Sequence, residues 1–135
     1  MIYLFDEKRN RQLDYSWSKE KLEKYKDLLI PVYTYVEVEK NNYLEKILMK
    51  GNTVIVHESF FDNTIVANSL EIRRKLRTFS TENKEFNLVF FSGSKNSRKL
   101  IDNEASIPVS IMYQNLEIFL KKKCDTMTVA TGTNT

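Results

Sequence analysis

Short continuous apolar runs, each followed by apolar residues recurring at helical spacing, constrain this chain more than any other feature. Met1-Ile2-Tyr3-Leu4-Phe5, Thr53-Val54-Ile55-Val56-His57 and Phe86-Asn87-Leu88-Val89-Phe90-Phe91 are too short for core helices. They also lack the strict in-out alternation of a sheet with one wet face, and so read as strands buried on both faces. A strand buried on both faces needs a layer of helices above and below, which points to an α/β sandwich with a parallel, doubly wound sheet.

The helical segments support this order. Ser18 is placed to cap a helix over residues 19–29, with Leu22, Tyr25, Leu28 and Leu29 inward and Pro31 as its stop. Residues 31–38 fit either a strand lasting to Val38 or a short strand over residues 32–34 followed by a helix. The capping box Thr34/Glu37 favours the second reading, with the helix running to about Lys50 and Gly51-Asn52 turning the chain into the third strand. Asp62 or Asn63 is placed to cap a long helix carrying Ile65, Ile72, Leu76 and Phe79, and residues 95–103 leave room for a stunted one. A fifth, weaker strand over residues 107–111 contains Pro108, which suits an edge. Met112, Leu116, Phe119 and Leu120 line a last helix that ends in three lysines. Residues 1–124 therefore form a single domain, and the Thr-rich residues 125–135 read as a flexible tail.

Composition removes several chemistries. The chain of 135 residues has three glycines, so neither a GxGxxG turn nor a GxxxxGK[ST] loop can be built and no nucleotide is bound by a Gly-rich loop. One cysteine and one histidine cannot supply a Cys/His zinc site or an intrachain disulfide, which suits a reducing, cytoplasmic setting. No run approaches the ~18 apolar residues of a membrane span, and the start of the chain lacks the pattern of a secretory signal. The net charge of +3 is heavily mixed. Arg73, Arg74, Lys75 and Arg77 could track phosphates, but Glu71, Glu82 and Glu85 dilute them, which argues for a solvated helix face over a nucleic-acid footprint.

In an open parallel sheet the site lies outside the carboxyl ends of the strands. Those ends bring Asp6 and Glu7, then His57, Glu58 and Ser59, then Ser92 and Ser94. Asp6, Glu7 and Glu58 are candidate ligands for a hard cation such as Mg²⁺. Glu58, His57 and Ser92 are the candidates for chemistry, His57 as a base because its ordinary pKa suits proton transfer. No GxSxG elbow surrounds any serine, so each also reads as a turn or cap residue.

Taken with the element order, these residues resemble the receiver domain of bacterial response regulators over residues 1–123. Asp6-Glu7 resembles the receiver's acidic pair after strand one, and Ser92 its hydroxyl after strand four. The acceptor position falls on Glu58 in place of Asp, and the Lys expected after strand five is replaced by Ile107 or, in a shifted register, by Met112 and Tyr113. The resemblance implies a flavodoxin-like strand order of 2-1-3-4-5 and a pseudo-receiver: a cytoplasmic, non-enzymatic regulatory domain of bacterial signalling with a degraded phosphoacceptor site. Its expected partner is another protein or a second copy, met through Phe60, Phe61, Tyr113 and Phe119. The competing expectations are an Mg²⁺-dependent phosphoacceptor or small phosphohydrolase using the acidic pocket, and a nucleic-acid-binding module.

Overall fold

The computed structural model describes residues 1–61, 67–92, 100–101, 104–105 and 107–132. In chain order the elements are β1 (Ile2–Phe5), α1 (Arg9–Asp14), α2 (Lys19–Lys24), β2 (Leu29–Val32), α3 (Tyr35–Glu39), a 3-10 turn (Lys40–Asn42), α4 (Tyr43–Ile47), β3 (Thr53–His57), α5 (Ala67–Glu82), β4 (Asn87–Ser92), β5 (Leu100–Ile101), β6 (Glu104–Ala105), β7 (Ile107–Pro108) and α6 (Val109–Gly132). Five strands form one parallel sheet in the order β2-β1-β3-β4-β7, and β5 with β6 forms a separate antiparallel pair. With β7 as the fifth strand of the sheet, this is the flavodoxin-like order 2-1-3-4-5.

Strand alternation divides the core into two layers. Tyr3, Phe5, Val54, Val56 and Phe90 face one way, onto Val38, Ile47, Phe60, Phe61, Ile72 and Leu76. Ile2, Leu4, Leu29, Ile55 and Phe91 face the other way, onto Trp17, Tyr25, Met112, Tyr113, Leu116 and Leu120. The apolar centres of these strands thus serve two packed layers at once, and polar residues stand only at their ends.

Several local expectations are corrected. The second strand is Leu29–Val32, not residues 32–34, because Tyr25 O accepts from both Leu28 N and Leu29 N and turns the chain out of α2 early. Pro31 then sits inside the strand, tolerated because β2 is at the sheet edge. The capping box forms, with Thr34 Oγ1 accepting from Glu37 N at 3.4 Å and Glu37 Oε1 accepting from Tyr33 N at 3.3 Å. The helix it starts does not reach Lys50 unbroken, since Asn42 adopts φ +57° and divides it. The fifth strand keeps only Ile107 and Pro108, and α6 begins at once with Val109, whose side chain is needed in the core. At its other end α6 continues to Gly132, through much of the stretch read as a tail. Asp62, Asn63 and residues 95–99 lie outside the described residues. Among the described residues no helix is long and apolar enough to cross a membrane.

Ser18 caps α2 as the sequence indicates, its Oγ accepting from Lys21 N at 3.2 Å. Ser18→Ala is expected to lower stability by about 1 kcal/mol in chemical denaturation, the usual worth of an N-cap.

Candidate functional site

Two consecutive acids leave the end of β1 in different directions. Leu4 faces the α6 layer, so Asp6, two residues on, faces it too, and is fully buried. Its Oδ1 accepts from Arg11 Nη1 at 2.6 Å and from Lys8 N at 3.1 Å, and its Oδ2 accepts from the Tyr113 hydroxyl at 2.7 Å. Tyr113 belongs to the buried stripe of α6 with Val109, Met112, Leu116 and Leu120. Arg11 comes from α1 and also reaches Glu7 Oε1, both of its terminal nitrogens lying 3.4 Å away.

The sequence reading missed α1 and therefore Arg11. The helix buries Gln12 and leaves Leu13 51% exposed, so its inward side is polar and no apolar period marks it. Gln12 Oε1 accepts from Arg9 Nη1 at 2.9 Å and from the Tyr33 hydroxyl at 3.2 Å, while Arg9 Nη1 also donates to Trp17 O. These bonds pin the segment between β1 and α2 without an apolar stripe.

At the end of β3, His57 is 4% exposed and packs edge-on against Phe91, with ring centroids 4.8 Å apart. Its Nδ1 accepts from Ser59 N at 3.1 Å, which places the proton of the neutral ring on Nε2. Ser59 Oγ lies 2.7 Å from the same Nδ1 and 2.5 Å from Glu7 Oε1. One hydroxyl proton therefore faces two acceptors. Burial, reinforced by the nearby Arg11 and Lys8 charges and opposed by Glu7, lowers the His57 pKa to about 4.

Together these contacts close a ring of neighbours at the carboxyl end of the sheet. It runs from His57 through Phe91, Tyr113, Asp6, Arg11, Glu7 and Ser59 back to His57. Burial, more than the opposing pull of Tyr113, the Lys8 N–H and Arg11, raises the Asp6 pKa, and burial beside Asp6 raises that of Tyr113 strongly.

The structure brings Asp6, Glu7 and His57 into this ring. Glu58 instead extends the β3–β4 ladder through its N–H to Phe91 O at 2.8 Å, and its Oε2 is buried without a hydrogen-bond partner. Ser92 is fully buried at the end of β4, in register with Pro108, and Ser94 lies outside the described residues. Among the described residues no three His, Cys, Asp or Glu side chains are grouped as a metal ion would require.

The expected contact surface needs correction at three of its residues. Phe60, Phe61 and Tyr113 are buried. The turn after β3, closed by Phe60 N donating to His57 O, lays both phenylalanines onto one core layer, Phe60 against Phe5 at 4.9 Å and Phe61 edge-on to Phe60 at 5.1 Å. Tyr113 is drawn inward by Asp6. Phe119 remains outside, 45% exposed, on the flank of α6 beside Met112 and Leu116, while Ile111 and Ile118 stand exposed in line with each other two turns apart.

No family model, no curated protein and no solved structure matches the chain.

Proposed function

We propose that this protein is a receiver-like regulatory domain that acts by docking another protein through α6, its acidic site held by its own side chains in place of metal and phosphoryl group. The observation that carries the reading is the Tyr113 hydroxyl donating to Asp6 at 2.7 Å, with Arg11 on the other carboxylate oxygen at 2.6 Å. A receiver needs free carboxylate oxygens for its cation and a cation to meet the transferred phosphoryl group. Here the donors are internal, and one of them belongs to the helix that would form the output face. Ile111 and Ile118 stand exposed on the outer side of that helix and Phe119 on its flank, apolar groups of the kind that mark a contact surface.

The reading is tested by adding Mg²⁺ and beryllofluoride and following amide resonances. The expected result is no shift at residues 57–59, whereas Tyr113→Phe alone moves resonances along residues 111–119. A stoichiometric, Mg²⁺-dependent response at residues 57–59 would overturn the reading in favour of a working phosphoacceptor.

A further inference from the structure

Ser59 occupies a position that the docking role does not use. Its Oγ is 2.5 Å from Glu7 Oε1 and 2.7 Å from His57 Nδ1, and the residue is partly exposed at the carboxyl end of the sheet. A serine hydroxyl becomes nucleophilic when a base within hydrogen-bond reach can take its proton. Ser59 has two such bases. Its backbone N–H is tied to the same imidazole at 3.1 Å, which fixes the turn and holds Oγ in place.

The far side of the ring takes no part in this contact. His57 is nine-tenths buried or more, and its Nε2 has no hydrogen-bond partner. With Nδ1 accepting, Nε2 carries its N–H on the side of the ring away from Ser59, which leaves Nδ1 as the atom that holds Oγ. Glu7 Oε2 is likewise buried without a partner, while both terminal nitrogens of Arg11 lie 3.4 Å from Glu7 Oε1.

We infer that Ser59 is a nucleophile toward small activated carboxylic esters, with Glu7 as its general base and His57 as the residue that positions it. Oγ attacks the carbonyl carbon as its proton passes to Glu7 Oε1. The bond from that carbon to the leaving oxygen breaks, its electron pair stays with the leaving oxygen, and the proton on Glu7 is returned to it. The products are an O-acyl ester on Ser59 and the free alcohol. The arrangement differs from a hydrolytic triad, because the serine lies between the two bases and the histidine meets it through Nδ1. The species the experiment reads is the O-acyl ester on Ser59.

The test uses the full chain with p-nitrophenyl acetate in buffer containing EDTA, with peptide mapping by mass spectrometry. A single acetyl group on the peptide holding Ser59 is expected, with Ser59→Ala unlabelled there and Glu7→Gln labelled at least about 10-fold more slowly. His57→Gln keeps Glu7 in place and is expected to retain labelling at a reduced rate. Acetyl groups on lysines or tyrosines with Ser59 unlabelled would overturn the inference, as would wild-type labelling of Ser59 in Glu7→Gln. Mapping of the wild-type chain decides the first point whether or not a variant folds. The EDTA keeps the outcome separate from the Mg²⁺-dependent response that tests the docking role.

Discussion

Asp6→Ala is expected to destabilise the protein by about 3 kcal/mol, read as a lower urea midpoint at unchanged slope. Three donors converge on this carboxylate, and all are left without it. The largest cost is at Tyr113, 1% exposed, whose hydroxyl would remain in the core with no acceptor. Arg11 contributes less, because its side chain is 14% exposed and Glu7 still stands beside it. The pair can be separated from simple loss of packing by a double-mutant cycle. Removing the stranded hydroxyl with Tyr113→Phe should recover part of the loss in the Asp6→Ala background, while costing stability in the wild-type background. Equal effects of Tyr113→Phe in the two backgrounds would show that the hydrogen bond across β1 and α6 carries no coupling.

Acidification should unfold the protein through His57. Its pKa falls from 6.5 to about 4 on folding. Between those values the unfolded chain binds a proton that the native state refuses, so stability rises with pH across this window and is lost as pH falls through it. The shift corresponds to roughly 3 kcal/mol, fully present above pH 6.5 and gone below about pH 4. Asp6 acts with the opposite sign. Burial raises its pKa above 3.8, so the native state holds that proton to higher pH than the unfolded chain, and stability from this group declines as pH rises through 3.8 and on to the raised value. His57→Gln should therefore flatten the profile between pH 4 and 6.5 and leave the shallow opposing slope of Asp6. An unchanged profile in that variant would assign acid sensitivity elsewhere.

The strands that pack on both faces were legible because burial on two sides leaves their centres continuously apolar. Met1-Ile2-Tyr3-Leu4-Phe5 and Thr53-Val54-Ile55-Val56-His57 contain β1 and β3 on this ground alone. Edges were less legible. β2 and β7 each bury one flank only, and each contains a proline, so local pattern placed their boundaries a few residues off. The helix α1 was not legible at all, because Gln12 takes the inward position that an apolar residue would normally mark.

The candidate site divides in the same way. That Asp6, Glu7, His57, Glu58 and Ser92 lie at one end of the sheet follows from the strand order and from the rule that parallel strands end together. What each does there depends on partners distant in the chain: Tyr113 for Asp6, Glu7 for Ser59, Phe91 for Glu58. The pair Phe60-Phe61 shows the limit from the other side. Adjacent aromatics in a loop look like a surface contact until a turn seats Phe60 on Phe5 and Phe61 on Phe60.

The amino-acid sequence by itself determined the layers, the parallel sheet and the end of it where polar residues gather, because hydrophobic burial writes its period directly into the chain. The tertiary structure alone decided that Asp6 is occupied from within, that Glu58 turns to the ladder and that Ser59 sits between two bases. A hydrogen bond between residues 6 and 113, or 7 and 59, leaves no local period, since its partners are chosen by the packing of elements and not by their neighbours along the chain.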